Sequence, residues 1–276
     1  MSPHHTPALL AATRVAQHDH TTRSLVMLHG IYGRGRNWLG IARSLTTARP
    51  EYACWLVDLP HHGASGPGTH GDTVHGLAQD VVDWLSHAGV TPTAILGHSY
   101  GGKVALAMAA ALPDTPLQVW VIDSTPEVKP PSGSAYDLLR VIQDLPPRFH
   151  SREAAQASLV AHGYTVGVAQ WMSTNLVRDG ESFRWHLDFE AMERLLVDFF
   201  DTDLWPVIEH PSAVHDIHIL KASESSAITA GAVGRIEAAA GDRVHLHHRQ
   251  GGQWIHAESP EVVIALLVEG LPLAIG

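Results

Sequence analysis

Short apolar runs recur along the chain at residues 24–28, 53–57, 93–96, 118–122 and 216–220, with a last one near 243–247. Unbroken runs of this kind are the pattern of strands covered on both faces. Between them, residues 38–45, 74–85 and 104–112 carry apolar side chains at three- and four-residue spacing, and Pro50, Pro92 and Pro113 stop the chain soon after each. Strand and helix in alternation, joined by short links, predict an α/β fold with a mostly parallel sheet and helices on both faces. The alternation lapses after Ile122 and resumes near Asp216. The stretch between has helical periodicity and no convincing strand, and Phe189, Met192, Leu195, Leu196, Phe199 and Phe200 fall on one helical stripe. Residues 1–125 and 213–276 are therefore expected to form the core. Residues 126–212 are expected to form a helical lid over the carboxyl edge of the sheet, where ligands bind in such folds.

Composition narrows the function classes. A chain of 276 residues with 45% hydrophobic content can fill the core of one catalytic domain. Twenty-eight acidic against 18 basic residues give a formal charge of −10, the wrong sign for neutralising phosphates, so nucleic acid is not an expected partner. Cys54, the single cysteine, lies in an apolar run and reads as a buried thiol. No apolar run approaches the roughly 18 residues of a membrane helix. The patch at residues 8–12 follows histidines and prolines rather than a basic region, a poor signal peptide, and a cytoplasmic protein without membrane contact is the expectation. The 21 histidines include His4-His5, His18-Asp-His20, His61-His62 and His245-Leu-His247-His248. These groups lack a carboxylate or cysteine at ligand spacing, so neither a metal nor a cofactor is expected.

The candidate chemistry starts at Gly97-His98-Ser99-Tyr100-Gly101-Gly102. A strand run precedes it and an alanine-rich helical run follows, the context of a G-x-S-x-G nucleophile elbow, in which small neighbours let the backbone close around an exposed serine. Such a turn sets Ser99 at a helix N-terminus, where unpaired N–H groups and the helix dipole suit a developing oxyanion. A phosphate loop would need a hydroxyl after Lys103, and Val104 stands there. The loop His29-Gly30-Ile31-Tyr32-Gly33 follows an early strand, so the N–H groups of Ile31 and Tyr100 are the candidate oxyanion donors.

These motifs, with a late Gly251-Gly-Gln-Trp-Ile-His256, resemble the α/β-hydrolase superfamily. More narrowly, Asn37-Trp38, Asp58-Leu-Pro-His-His-Gly63-x-Ser65 and Trp254-Ile-His-Ala-Glu-Ser-Pro260 are similar to the YbfF-like bacterial esterases and the mitochondrial abhydrolase-domain proteins. That family usually reads Gly-His-Trp-x-His before its last helix, and Gln253 stands here for the first of those histidines. His256 lies on the loop between the last strand and the last amphipathic helix and completes the Ser, acid, His chain order, so it is the expected base. The resemblance implies Asp123, at the end of an earlier strand, as the acid. Glu224, in the turn after the next-to-last strand, is the alternative, with Ser225 in support. Asp58 reads as a turn former, and His61 or His62 could border the pocket.

The expected activity is hydrolysis of a small-molecule carboxylic ester, of small or medium acyl chain, through a Ser99–His256–Asp123 triad and an acyl-enzyme. Epoxide or halide chemistry would want an aspartate nucleophile, whereas C–C or thioester cleavage, or ligand binding without turnover, are the alternatives on the same fold.

Overall fold

The computed structural model describes residues 10–273; the His4-His5 pair and the start of the apolar patch at residue 8 lie outside the described residues. Strands β1 (Ala12–Val15), β2 (Arg23–Leu28), β3 (Tyr52–Val57), β4 (Ala94–His98) and β5 (Leu117–Ile122) alternate with helices α1 (Leu39–Ala48), α2 (Val74–Ala88) and α3 (Tyr100–Ala111). After β5 come α4 (Ser134–Asp144), β6 (Arg148–Phe149), α5 (Arg152–Ala161), α6 (Val166–Ser173), β7 (Leu176–Asp179), β8 (Ser182–Trp185), α7 (Phe189–Asp201) and α8 (Trp205–Glu209). The main sheet then resumes with β9 (His215–Ala222), α9 (Ala230–Ala239), β10 (Val244–Arg249), α10 (Ile255–Glu258) and α11 (Pro260–Gly270).

The main sheet has the order β1-β3-β2-β4-β5-β9-β10, parallel throughout except for β1. Successive side chains of a strand point to opposite faces, and the apolar runs divide accordingly. Val26, Leu28, Ile95, Val119 and Val121 join the core under α2 and α3. Leu25, Met27, Leu96, Trp120 and Ile122 join a second core with α1 and α11. Burial on both faces explains why these strands lack alternation in the sequence. Cys54 sits inside the second core, and burial pushes its thiol up to about 12.

One expectation changes. The stretch between β5 and β9 is not free of strands: β6, β8 and β7 form a small antiparallel sheet. Its hairpin turns at Gly180-Glu181, between the paired Asp179 and Ser182, with Gly180 at φ 64°, and the glycine after Asp179 is the signal that marks it. Helix α3 starts directly after Ser99, four residues before the apolar periodicity at 104–112 begins. Among the described residues no helix is long and apolar enough to cross a membrane.

The elbow closes because its glycines lie against backbone. A Cβ on Gly97 would stand 2.0 Å from the Gly101 carbonyl oxygen, and one on Gly101 would stand 2.5 Å from that of His29. Neither backbone neighbour can swing aside, so Gly97→Ala is expected to cost on the order of 3 kcal/mol and lower the melting temperature by roughly 5–10 °C. Gly40, exposed in α1 with nothing within 4 Å of its added Cβ, is the control. Gly40→Ala should gain about 0.5–1 kcal/mol from helix propensity. Thermal melts of both check the pair, and equal effects would sink the packing argument.

Candidate active site

Ser99 sits between the carboxyl end of β4 and the start of α3 at φ 50° and ψ −117°, a conformation that L-residues rarely adopt. The turn is held from both sides. The Ser99 N–H donates to the Ile122 carbonyl at 3.0 Å, and the Ser99 carbonyl accepts from Gly102 at 2.9 Å. This places the hydroxyl on a cavity of about 480 Å³ whose walls include Ile31, Tyr100, Asp123, Glu224 and Ser225. The first N–H groups of α3 have no partners within the helix, so the Tyr100 N–H is free to face an oxyanion. Ile31 is buried in a loop pinned by two contacts to the segment after β5. The Tyr32 hydroxyl donates to Ala135 at 2.7 Å, and the Asn175 amide donates to Tyr32 at 2.8 Å.

Asp123 follows β5, is fully buried and also has positive φ, 47°. Its N–H donates to Leu220 at 2.8 Å, and its Oδ1 accepts from the Ala222 N–H at 3.3 Å. Its Oδ2 is buried without a partner among the described residues. Burial pushes this carboxyl above the ordinary aspartate range, opposed by the Ser225 hydroxyl, the Ala222 N–H and the charges of Lys221 and Lys129. Glu224 lines the same cavity but is exposed and accepts from the Gln250 amide at 2.5 Å.

The shift at Asp123 has a stability consequence. A carboxyl whose folded value is raised contributes stability that is complete below its unfolded value, about 4, and is lost as pH rises through the folded one. Asp123→Asn carries no such loss, so the stability of the wild type relative to this variant should fall as pH rises above about 4. Urea titrations across that range measure it, and parallel curves would contradict the buried-charge account.

The structure does not bring His256 to Ser99. A separate cavity of about 280 Å³ holds His256 together with Asn37, Trp171 and Trp254. Its ring packs 4.0 Å from His98 and 5.0 Å from Trp38, centroid to centroid, and its Nδ1 is buried without a partner among the described residues. Burial and the neighbouring His98 hold its pKa well below the usual imidazole range. The expected Ser99–His256 hydrogen bond is thus not seen among the described residues, and the reason is local. The chain enters the short helix α10 after Trp254, and that turn carries position 256 away from the cavity. Position 253 is left facing it. The Gln253 Oε1 accepts from the Ser134 hydroxyl at 2.7 Å, and its carbonyl meets the His98 Nε2 at 2.7 Å. No histidine is among the described residues that line the Ser99 cavity.

His61 and His62 do not border this cavity either. His61 pairs with Asp72 at 2.6 Å, while His62 is buried with its ring 4.8 Å from that of His29. Asp58 holds the turn, accepting from Gly35 at 2.7 Å and from Ala64 at 2.9 Å. Two residues that the sequence reading passed over contribute. Lys129 lines the cavity and donates to the Ala227 carbonyl at 3.1 Å; burial lowers its pKa. Lys103, fully buried in α3, donates to the carbonyls of Glu127 at 3.0 Å and Phe199 at 2.5 Å, tying the nucleophile helix to α7. From α7 itself, Leu196, Phe199 and Phe200 give the cavity its apolar wall.

Comparison with known proteins agrees with this fold. A family model described as alpha/beta hydrolase fold matches residues 23–157. The chain is 28% identical over 183 residues to the sn-1-specific diacylglycerol lipase ABHD11 of Mus musculus, covering 64% of this chain and 59% of that protein. The chain thus spans about three-fifths of the length of that relative and of its Xenopus laevis counterpart. It is 24% identical over 258 residues to esterase YbfF of Escherichia coli (strain K12), covering 91% of this chain and 94% of that one. A solved marine microorganism esterase superposes with a TM-score of 0.82 at 23% identity, covering 95% of this chain and 99% of that one, a likeness of fold. The sheet order, the strained serine after β4 and these matches give the chain the α/β-hydrolase fold, and in sequence it resembles the YbfF-like and ABHD11-like esterases and lipases.

Proposed function

We propose that the Ser99 cavity takes carboxylic esters and that Ser99 is the atom acylated. One observation carries the reading: a serine held at positive φ on a helix N-terminus, with Ile31 and Tyr100 beside it on one cavity. In this reading Ser99 Oγ attacks the ester carbonyl, the carbonyl oxygen takes the negative charge toward the Ile31 and Tyr100 N–H groups, and the alcohol leaves with a proton. Water then attacks the acyl-serine and releases the acid. The wall of Leu196, Phe199 and Phe200 suits an apolar acyl or alcohol group, and the relatives named for esters and diacylglycerol support that class.

Removal of the Ser99 proton is the step for which this cavity is poorly equipped. His256 lies on a separate cavity, and from the same loop it is Gln253 that faces the Ser99 cavity. On the esterase reading, the wild-type chain turns esters over slowly. The second reading, a ligand-binding protein that keeps the fold without turnover, is favoured by the same missing imidazole. A fluorophosphonate probe followed by peptide mass spectrometry, together with a p-nitrophenyl ester series from acetate upward, separates the two. Adduct on Ser99 with slow ester turnover supports the esterase, and binding of esters with neither adduct nor turnover supports the second reading.

A further inference from the structure

At the opposite edge of the main sheet, where β9 and β10 begin, one face gathers a second set of groups. Asp216 and His218 alternate on β9, and His245 stands beside His218 in the register of β10. The His245 Nε2 lies 2.8 Å from Asp216 Oδ1, and the His218 Nε2 lies 3.0 Å from Asp216 Oδ2. One ligand atom from each of the three residues falls within 4.8 Å of the others. Both imidazoles thus aim the same nitrogen at one carboxylate, with their rings stacked 4.5 Å apart.

We propose that Asp216, His218 and His245 bind a divalent transition-metal ion of zinc's class, two imidazoles and one carboxylate leaving a fourth position to water. Tetrahedral ligands around zinc stand about 3.3 Å apart; each imidazole already lies that close to one of the two Asp216 oxygens, and the three donor atoms, within 4.8 Å of one another, have to close by up to about 1.5 Å around a single ion. The surroundings supply the orientation that metal-bound histidines need. The His218 Nδ1 faces His247 Nε2 at 3.0 Å, and the Gln118 amide, which donates to Asp216 Oδ2 at 3.0 Å and lies 3.1 Å from His218 Nε2, gives up the second contact when an ion binds. Trp120 stacks on His218 at 4.1 Å and fixes the ring plane. The Asp216 and His245 side chains are 40% and 35% exposed, which gives an ion an entry path. Local spacing hides the set, because Asp216 and His245 are 29 positions apart.

The test uses the full chain without an affinity tag, titrated with zinc alone and, for a visible spectrum, with cobalt(II) alone. One equivalent should bind, raise the melting temperature and give the absorption of low-coordinate cobalt. His245→Ala and Asp216→Asn should each weaken binding by tenfold or more. His248→Ala, the next exposed histidine on β10, should not. Melts without metal show whether each variant folds, and His245→Gln repeats the test should His245→Ala fail. The absence of stoichiometric uptake, or uptake that His245→Ala and Asp216→Asn leave unchanged, would overturn the proposal. The set lies across the sheet from Ser99, so Ser99→Ala should bind zinc as the wild type does, whatever becomes of ester hydrolysis.

Discussion

Ser99→Ala should remove all fluorophosphonate labelling and return ester hydrolysis to the uncatalysed rate, while the protein melts within about 0.5 kcal/mol of wild type. The chemistry disappears because, among the described residues, no other hydroxyl on this cavity combines strained backbone with a helix N-terminus. Stability holds because alanine keeps the Cβ, and the Ser99 hydroxyl makes no hydrogen bond among the described residues that its removal would break. A second substitution isolates the strain. A non-glycine residue at positive φ costs of order 1–3 kcal/mol, which glycine does not incur. Ser99→Gly should therefore be equally inactive and more stable than either, by about 1 kcal/mol. A serine kept in a costly conformation that stability alone would discard is the thermodynamic mark of a functional position. Were Ser99→Gly to melt below wild type, the strain would lie elsewhere. Retained turnover in Ser99→Ala would remove the nucleophile from the proposal altogether.

The legible parts of this fold are those in which one local rule decides. Residues 24–28 and 118–122 are apolar at nearly every position because both sheet faces are covered, and no amphipathic helix imitates that run. Strand β1 escaped because its four residues include Thr13 and Arg14 and only its pairing with β3 makes it a strand. The β7–β8 hairpin escaped for a similar reason: Arg178, Asp179 and Arg184 hide a four-residue pairing that the Gly180-Glu181 turn announces. In the site, Ser99, Ile31, Tyr100 and Asp123 all come from carboxyl ends of neighbouring strands, and chain order suffices to place such residues together. The loop after β10 is different. Chain order selects the loop but does not decide between positions 253 and 256, which one short helical turn sends to different cavities.

That turn makes Gln253→His the most informative gain-of-function test. An imidazole at position 253 would enter the cavity that already holds Ser99 and the unpartnered Oδ2 of Asp123, so the substitution should raise ester turnover about 10²–10⁴-fold, the usual worth of a positioned general base. The gain should depend on pH in one direction. The neutral ring is the base, so activity should be low below the imidazole range, about 6.5 for a free side chain, and rise through it. Burial lowers that midpoint, while a charged Asp123 beside the ring raises it. Adding Asp123→Asn should remove most of the gain, whereas adding His256→Ala should leave it intact. The opposite pattern has an equally definite meaning. If Gln253→His changes nothing and His256→Ala alone abolishes wild-type turnover, then α10 opens during the reaction and His256 travels to Ser99. The separation of the two cavities would then describe a resting state of the loop rather than the working site.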